Sequence, residues 1–302
     1  MRVVHIDMGP EMRGGQHQVL LLLNGLAERG YEQILLAREQ SPLWRAAQAA
    51  GHQVFSANFF NLLHWSRLSD TIVHAHDAQA HTLTLIRPGI RLVVSRRVAF
   101  PPKRSRASRW KYDRAKKYLA VSRFVRGVLI DAGIPPEKVD TVYDGVELLP
   151  ENTFWSAEGP IVSLASRDPD KGRDLMEQTA ALANAPVLYS NDLARDLQGA
   201  SSFVYLTRLE GLGSAALLAM SRGVPVIASR VGGLAEIFVD NESGLYVENN
   251  ARQVAAAIHR LRGDPELAER LRHGGRQRIQ ECFTKERMIE NTLHAYERVL
   301  AR

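Results

Sequence analysis

Leu209-Glu210-Gly211-Leu212-Gly213-Ser214 follows an apolar run of strand length, Ser202 to Leu206, and leads into a helical pattern that continues to Ser221. Glycines 211 and 213 allow the backbone to approach a ligand closely. The free N–H groups at the start of a helix attract anions. The stretch therefore predicts a strand, a ligand-binding glycine loop and a helix, which is the repeating unit of an α/β fold.

The same alternation of strand and helix runs along the whole chain. The first series opens with the strand Val3 to Asp7 and the second with the strand Ile161 to Ala165, and turn-forming residues without periodicity separate the two series. Such alternation predicts parallel sheets with helices on both faces. We therefore predict an α/β protein of two domains, residues 1–148 and 149–302, with ligands at the carboxyl ends of the strands.

Composition narrows the class of protein further. The chain has 302 residues, 45% hydrophobic and 24% charged, which is typical of a soluble globular protein. The single cysteine, Cys282, can form neither an internal disulfide nor a thiolate metal cluster. The apolar run Val19 to Leu23 is too short for a membrane span or a secretory signal. We expect a cytoplasmic protein.

Positive charge is concentrated in one segment. The net charge is +6, but residues 91–126 hold 13 Lys and Arg against Asp113 alone, so the rest of the chain is mildly acidic. Such a segment indicates a solvated face or an anionic partner, either acidic lipid headgroups or nucleic acid. We see no nucleic-acid-binding signature and expect no nucleic acid partner. Our basic patch comprises Arg96, Arg97, Lys103, Arg104, Arg106, Arg109, Trp110 and Lys111.

The loop at Glu210, together with Gly232-Gly233 and Glu236 downstream, resembles the retaining glycosyltransferases of family 4. The resemblance covers nearly the whole chain. It implies the GT-B fold, in which two Rossmann-like parallel-sheet domains face a central cleft and the C-terminal helix packs back on the first domain. It also implies transfer of a hexose-type sugar from a nucleoside-diphosphate sugar, without metal or cofactor.

The resemblance assigns roles in the second domain. Glu210 would contact the hydroxyls of the donor sugar, and Arg167 and Lys171 would contact the diphosphate. Fixed positive charge on that leaving group stabilises the transition state. The residues of the loop that would bind the diphosphate are Leu212, Gly213 and Ser214.

In the first domain, the resemblance places Gly14 and Gly15 against the donor and His76 opposite the transferred sugar. Alternation along the strand puts His74 and His76 on one face. Two histidines could hold a metal ion, but the sequence shows no third ligand, so we expect no metal site.

One position departs from the family pattern. Relatives usually carry a second glutamate eight residues after the first, where it grips the ribose, and this chain has Leu218. The chain is also short for the family. A catalytically weak nucleotide-sugar binding protein therefore remains an alternative, as does another GT-B enzyme such as a sugar-nucleotide epimerase or a glycogen-type synthase.

The sequence itself identifies neither the nucleotide nor the sugar of the donor. We expect UDP only because it is the frequent donor nucleotide in the family that the chain resembles. Basic residues near aromatic ones suit a peripheral position on the inner membrane face. Several members of the family that glycosylate lipids bind the membrane through a basic region in this part of the first domain, so the resemblance implies a lipid-linked or cell-envelope glycan acceptor. The sequence does not indicate the oligomeric state.

Overall fold

The computed structural model describes residues 1–67, 70–148, 155–166 and 168–301. The chain forms two compact units. The first consists of Met1–Gly145 and Lys285–Arg302, and the second of Val146–Thr284. The predicted domain boundary after residue 148 lies close to the division at Gly145, but the terminal helix belongs with the first unit.

The first unit contains a parallel sheet of seven strands in the order β3-β2-β1-β4-β5-β6-β7. Its middle strands β1, β4 and β5 are buried along nearly their whole length, as strands covered on both faces must be. The strands are β1 (Arg2–Asp7), β2 (Glu32–Ala37), β3 (Val54–Ser56), β4 (Thr71–Ala75), β5 (Arg91–Arg96), β6 (Lys117–Ala120) and β7 (Val139–Thr141).

Six helices connect these strands. Most begin behind a polar side chain that accepts a hydrogen bond from the first turn, which satisfies an N–H group that has no partner within the helix. The capping residues are Ser41, Asn58, Asp77, Ser105 and Ser122. The helices are α1 (Gly14–Ala27), α2 (Pro42–Ala49), α3 (Phe59–Trp65), α4 (Ala78–Leu83), α5 (Arg106–Asp113) and α6 (Arg123–Asp131).

The second unit contains a parallel sheet of five strands in the order β12-β11-β10-β8-β9. Its strands are β8 (Ile161–Leu164), β9 (Val187–Ser190), β10 (Ser202–Tyr205), β11 (Val226–Ser229) and β12 (Leu245–Val247). Its helices are α7 (Arg173–Ala183), α8 (Leu193–Asp196), α9 (Ser214–Ser221), α10 (Ala251–Gly263) and α11 (Pro265–Cys282).

The C-terminal helix α12 (Lys285–Leu300) completes the core of the first unit. Its buried residues Ile289 and Tyr296 pack in one cluster with Leu22 and Leu26 of α1. The two helices approach so closely that a side-chain carbon at Gly25 would lie 2.0 Å from the Ile289 Cδ1 atom. The predicted α/β class and the packing of this helix on the first domain are confirmed.

The strand order of each sheet reverses direction at one point. In the first unit the reversal lies between β1 and β4, and in the second between β8 and β10. At such a point, the loops that leave the carboxyl ends of the two strands diverge and open a crevice in which α/β proteins bind ligands. Each unit therefore has its own expected ligand position, set by topology alone.

Four histidines of the first unit are buried: His5, His74, His76 and His81. Burial favours the neutral imidazole and lowers the pKa of all four, to about 3 for His5 and His81. Below the ordinary histidine pKa near 6.5, the unfolded chain therefore binds protons that the folded unit does not. The free energy of unfolding must fall as the pH drops from 6.5.

We expect His81→Phe to weaken this pH dependence. The phenyl ring can keep the packing of His81 against Tyr112 and Tyr118 while removing one group that must stay neutral. Between pH 6 and 4.5, the slope of the unfolding free energy should decrease by about 1 kcal/mol per pH unit. Urea titrations across this range measure the slope, with the exposed His294→Phe as the matched control. An unchanged slope in His81→Phe would contradict the assignment.

Candidate functional site

Three side chains of the second unit meet at its point of strand reversal. Lys171 lies in the loop after β8, Tyr205 ends β10, and Glu210 lies in the loop after β10. Lys171 Nζ is 2.6 Å from Glu210 Oε2, and the Tyr205 hydroxyl donates to the same oxygen at 2.5 Å. The second carboxylate oxygen accepts from the Gly211 N–H at 3.0 Å.

Backbone contacts fix the loop that carries Lys171. The Asp170 carbonyl accepts hydrogen bonds from the Arg208 N–H at 2.9 Å and from Thr207 Oγ1 at 3.0 Å. Gly172 has a φ of +65°, and a side-chain carbon there would lie 2.7 Å from the Leu206 Cβ atom. The loop after β8 is thus held directly against the loop after β10.

The Glu210 backbone is held by the double glycine that follows β11. The Gly233 N–H donates to the Glu210 carbonyl at 3.0 Å. At Gly232, which has a φ of +51°, a side-chain carbon would lie 2.4 Å from that same carbonyl oxygen. Gly232 and Gly233 therefore fix the position of the Glu210 backbone.

Helix α9 begins directly beyond Glu210. Its N-cap, Gly213, has a φ of +107° and provides no side chain to cap the first turn. Leu212 is buried, Ser214 is half-buried, and Leu218 lies half-buried one turn into the helix. The predicted diphosphate-binding segment is thus a helix N-terminus beside a lysine, an arrangement that attracts anions.

Tyr205 was missed by sequence reasoning. Burial and the neighbouring Glu210 carboxylate raise its pKa well above 10, so the phenol keeps the proton that it donates to Glu210. The signal in the sequence was its position as the last residue of the strand before the Glu210 loop. Arg167, which we predicted to contact the diphosphate, lies outside the described residues.

The reversal point of the first unit carries the predicted double-glycine loop. Helix α1 begins at Gly14, and a side-chain carbon on Gly15 would lie 3.7 Å from the Arg97 side chain. Asp7, at the end of β1, accepts from the Gly9 N–H at 2.9 Å and from Gln16 Nε2 at 3.1 Å. Burial and the nearby Asp77 carboxylate raise the pKa of Asp7. Asp7 thus ties the loop to the first turn of α1.

His76 lies at the end of β4 but beneath the surface, with 5% of its area exposed. Its Nε2 is 3.0 Å from His5 Nδ1. His74 contacts the Tyr296 hydroxyl at 2.6 Å and Ser95 Oγ at 2.8 Å. The predicted contact of His76 with a sugar remains a prediction.

Our statement that the His-x-His segment has no third partner is wrong. His5 on β1 brings a ligand atom within 4.8 Å of those of His74 and His76, so the three could hold a metal ion. Adjacent strands in register bring His5 opposite His74, which spacing along the chain cannot show. Both His74 nitrogens are engaged with Tyr296 and Ser95. Burial above all, and then the neighbouring histidines and the Arg97 charge, lowers the pKa of His74 and His76. These contacts favour neutral, hydrogen-bonded rings over a cation site.

The basic patch divides into exposed and inward-facing residues. Arg97 is mostly buried and pairs with Asp144 at 3.1 Å. Arg96 bonds the Tyr112 hydroxyl, and Lys111 Nζ donates to the Ala78 carbonyl at 2.9 Å. The exposed members are Lys103, Arg104, Arg106, Arg109 and Trp110.

Arg97 therefore belongs to the interior of the first unit, because its charge is paired there. Among the helices of the described residues, none combines the length and apolarity needed to cross a bilayer.

Two protein families match the chain, one on each unit. Residues 12–148 match the family Glycosyltransferase Family 4, and residues 177–278 match the family Glycosyl transferases group 1. The second match includes Tyr205 and Glu210, and the first includes His76.

Curated relatives match over shorter segments. The chain is 37% identical over 112 residues to an alpha-maltose-1-phosphate synthase of Mycobacterium tuberculosis, covering 35% of this chain and 29% of the relative. It is 32% identical over 99 residues to the capsular polysaccharide biosynthesis glycosyltransferase CapM of Staphylococcus aureus, covering 32% of this chain and 26% of the relative. The chain thus matches between a quarter and a third of the length of these relatives.

Solved structures match along the full length. The HepE protein of Anabaena, in complex with UDP and glucose, has a TM-score of 0.81 at 14% identity and covers 98% of this chain and 99% of its own. At this identity the likeness establishes the fold, which is the GT-B fold. Since two glycosyltransferase families match the chain, one over residues 12–148 and the other over residues 177–278, the chain belongs to the family 4 glycosyltransferases of the GT-B fold.

Proposed function

We propose that this protein is a retaining glycosyltransferase that moves a hexose-type sugar from a nucleoside-diphosphate sugar, with UDP as the nucleotide, to a lipid-linked or cell-envelope glycan acceptor. The contact between Lys171 and Glu210 beside the N-terminus of α9 carries the proposal. It joins a cation, a carboxylate and a set of helix N–H groups at the point of strand reversal. These are the groups that a sugar diphosphate requires.

Each group has a place in the proposed reaction. Breaking the glycosyl bond leaves a nucleoside diphosphate, whose charge is spread over the oxygens that face Lys171 and the first turn of α9. Glu210 accepts hydrogen bonds from the sugar hydroxyls and so orients the ring. Fixed charges that need no rearrangement during the reaction lower its barrier.

The proposed mechanism uses neither a protein nucleophile nor a metal ion. The acceptor hydroxyl attacks from the side of the leaving group, and the departing phosphate takes its proton. Catalysis then consists of positioning and of electrostatic stabilisation of the phosphates. Ser214 lies at the start of α9 and serves only to bind phosphate.

The acceptor is proposed from the basic patch and from the relatives. Exposed cations and the half-exposed Trp110 would hold the first unit at an anionic membrane surface. The name of CapM places that relative in capsular polysaccharide biosynthesis. A lipid-linked glycan at the inner membrane face would agree with both the basic patch and the polysaccharide named for that relative.

A catalytically weak nucleotide-sugar binding protein is the second candidate, and Leu218 favours it. The side chain at 218 is half-buried on α9 and offers no acceptor to a ribose hydroxyl. In the leading proposal, backbone groups or water hold the ribose instead. The experiments below separate the two.

We expect UDP, or a UDP-linked hexose, to raise the melting temperature by several degrees at 100 times its dissociation constant, because binding then adds about 2.7 kcal/mol. Lys171→Ala should abolish the shift. The matched control is Arg173→Ala. It removes a cation that lies two residues from Lys171 and is paired with Glu177. GDP, ADP and their sugar conjugates complete the panel. No shift with any nucleotide in folded protein would contradict the donor site.

We expect Glu210→Ala to lower turnover at least about 100-fold, since it removes both the contact to the sugar and the partner of Lys171. Arg173→Ala should stay within twofold of the parent. Release of UDP and formation of product are measured with a glycan-lipid extract as acceptor, and a reaction without acceptor detects epimerisation. Absent turnover in the parent, with donor affinity strongly raised by Leu218→Glu, would favour the binding protein.

We expect the double variant Arg106→Ala/Arg109→Ala to weaken binding to anionic liposomes about tenfold or more, because each cation near such a surface contributes about 1 kcal/mol. Both arginines are exposed on α5, so the fold should persist. Arg38→Ala/Arg45→Ala removes two exposed cations elsewhere on the same unit and is the control. Co-sedimentation at several salt concentrations measures the effect, and equal binding by both double variants would contradict a localised patch.

A further inference from the structure

A large cavity lies in the first unit, at the edge of the sheet opposite to His76 and the double-glycine loop. Its volume is about 590 Å³, and its lining includes Thr71, Arg91 and Lys117, the first residues of β4, β5 and β6. Lys138, which directly precedes β7, also lines it. Because these four neighbouring strands are parallel, the cavity lies across their amino ends. His76 and the double-glycine loop lie at the carboxyl ends.

The cavity is strongly basic. Seven lysine and arginine side chains line it, with Asp113 as the single acidic one in that lining. Asp140, which is not part of the lining, pairs with two of these cations, Lys117 at 3.0 Å and Arg298 at 2.7 Å. With Asp113 and Asp140 set against the seven cations, an excess of five positive charges remains. Such an excess in a concave surface attracts multiply charged anions.

The lining also holds polar atoms that lack a partner. Within the described part of the chain, Ser66 Oγ, Thr71 Oγ1 and Arg87 Nε are buried and make no hydrogen bond. A buried donor without a partner costs about 1–3 kcal/mol, so such groups are uncommon in folded proteins. All three atoms are shielded from solvent, so an anion in the cavity would contact them only after these side chains rotate.

We propose that this cavity binds a small ligand carrying two or more phosphate groups. Arginine presents a planar fork that matches phosphate oxygens, and the lysines add point charges. A volume of about 590 Å³ lies within the usual range for small-molecule sites. The ligand is either a soluble phosphate ester or anhydride, or the phosphate headgroup of a lipid. The site is independent of the proposed glycosyl transfer.

Titration calorimetry of the full chain with pyrophosphate tests the proposal. In Arg91→Gln/Lys138→Gln the dissociation constant should rise at least tenfold, while Arg38→Gln/Arg45→Gln should leave it within twofold. Lys171→Ala removes binding at the donor site, so the cavity site should persist in that variant. Equal affinity in Arg91→Gln/Lys138→Gln and the parent overturns the proposal, as does binding that only Lys171→Ala abolishes.

Two further arms complete the test. Lys138 Nζ donates to the Asp113 carbonyl, so the charge reversal Lys116→Glu, at an exposed position, is the variant to use if the first fails to fold. It should weaken binding by a similar factor. The second arm is flotation with phosphatidic acid vesicles, with phosphatidylcholine vesicles as the control. The ligand is a lipid headgroup if the protein binds phosphatidic acid vesicles, loses that binding in Arg91→Gln/Lys138→Gln, and does not bind pyrophosphate. No binding in either arm overturns the proposal.

Discussion

Each sheet reverses its strand order at one point, and the candidate sites of this protein depend on that constraint. Loops that leave neighbouring strands on opposite faces must diverge, so a crevice opens there without any special sequence. In the second unit the two strands are β8 and β10, and Lys171 and Glu210 follow them. The 2.6 Å contact between these side chains is therefore a consequence of topology, although 39 positions separate them in the chain.

The contact also determines how the site could respond to an anion. Lys171 and Glu210 are mostly buried, so their attraction is screened less than that of a surface pair. A phosphate at the start of α9 would compete with Glu210 for Lys171. The carboxylate would still keep its hydrogen bonds from Tyr205 and Gly211. Glu210 thus has two hydrogen bonds that do not involve the lysine, which agrees with the proposal that Lys171 contacts a phosphate.

Sequence alone predicted the α/β class, the strand that opens each series and the glycine loops, because these depend on local periodicity and on residues with special backbone freedom. It did not predict β12 or the short helices α3, α4 and α8, whose three to seven residues show too little periodicity. The sequence also could not predict which side chains meet across neighbouring strands or loops. His5 meets His74 only through the register of β1 and β4, and Tyr205 meets Glu210 only because the loop after β10 turns back.

In the basic segment, residues 91–126, cations that are close in sequence lie in different places in the folded protein. Arg96 ends β5 at the carboxyl edge of the sheet, whereas Lys117 begins β6 at the amino edge. A crossover between parallel strands must traverse the full strand length, about 15–20 Å for five or six residues. The cations in between are therefore spread from the carboxyl ends of the strands to their amino ends. Arg106 and Arg109 on α5 reach solvent. Arg114 and Lys116, which precede β6, line the cavity, whereas Arg97 turns inward to Asp144. A single run of positive charge thus contributes to three separate environments, and each must be tested by its own substitution.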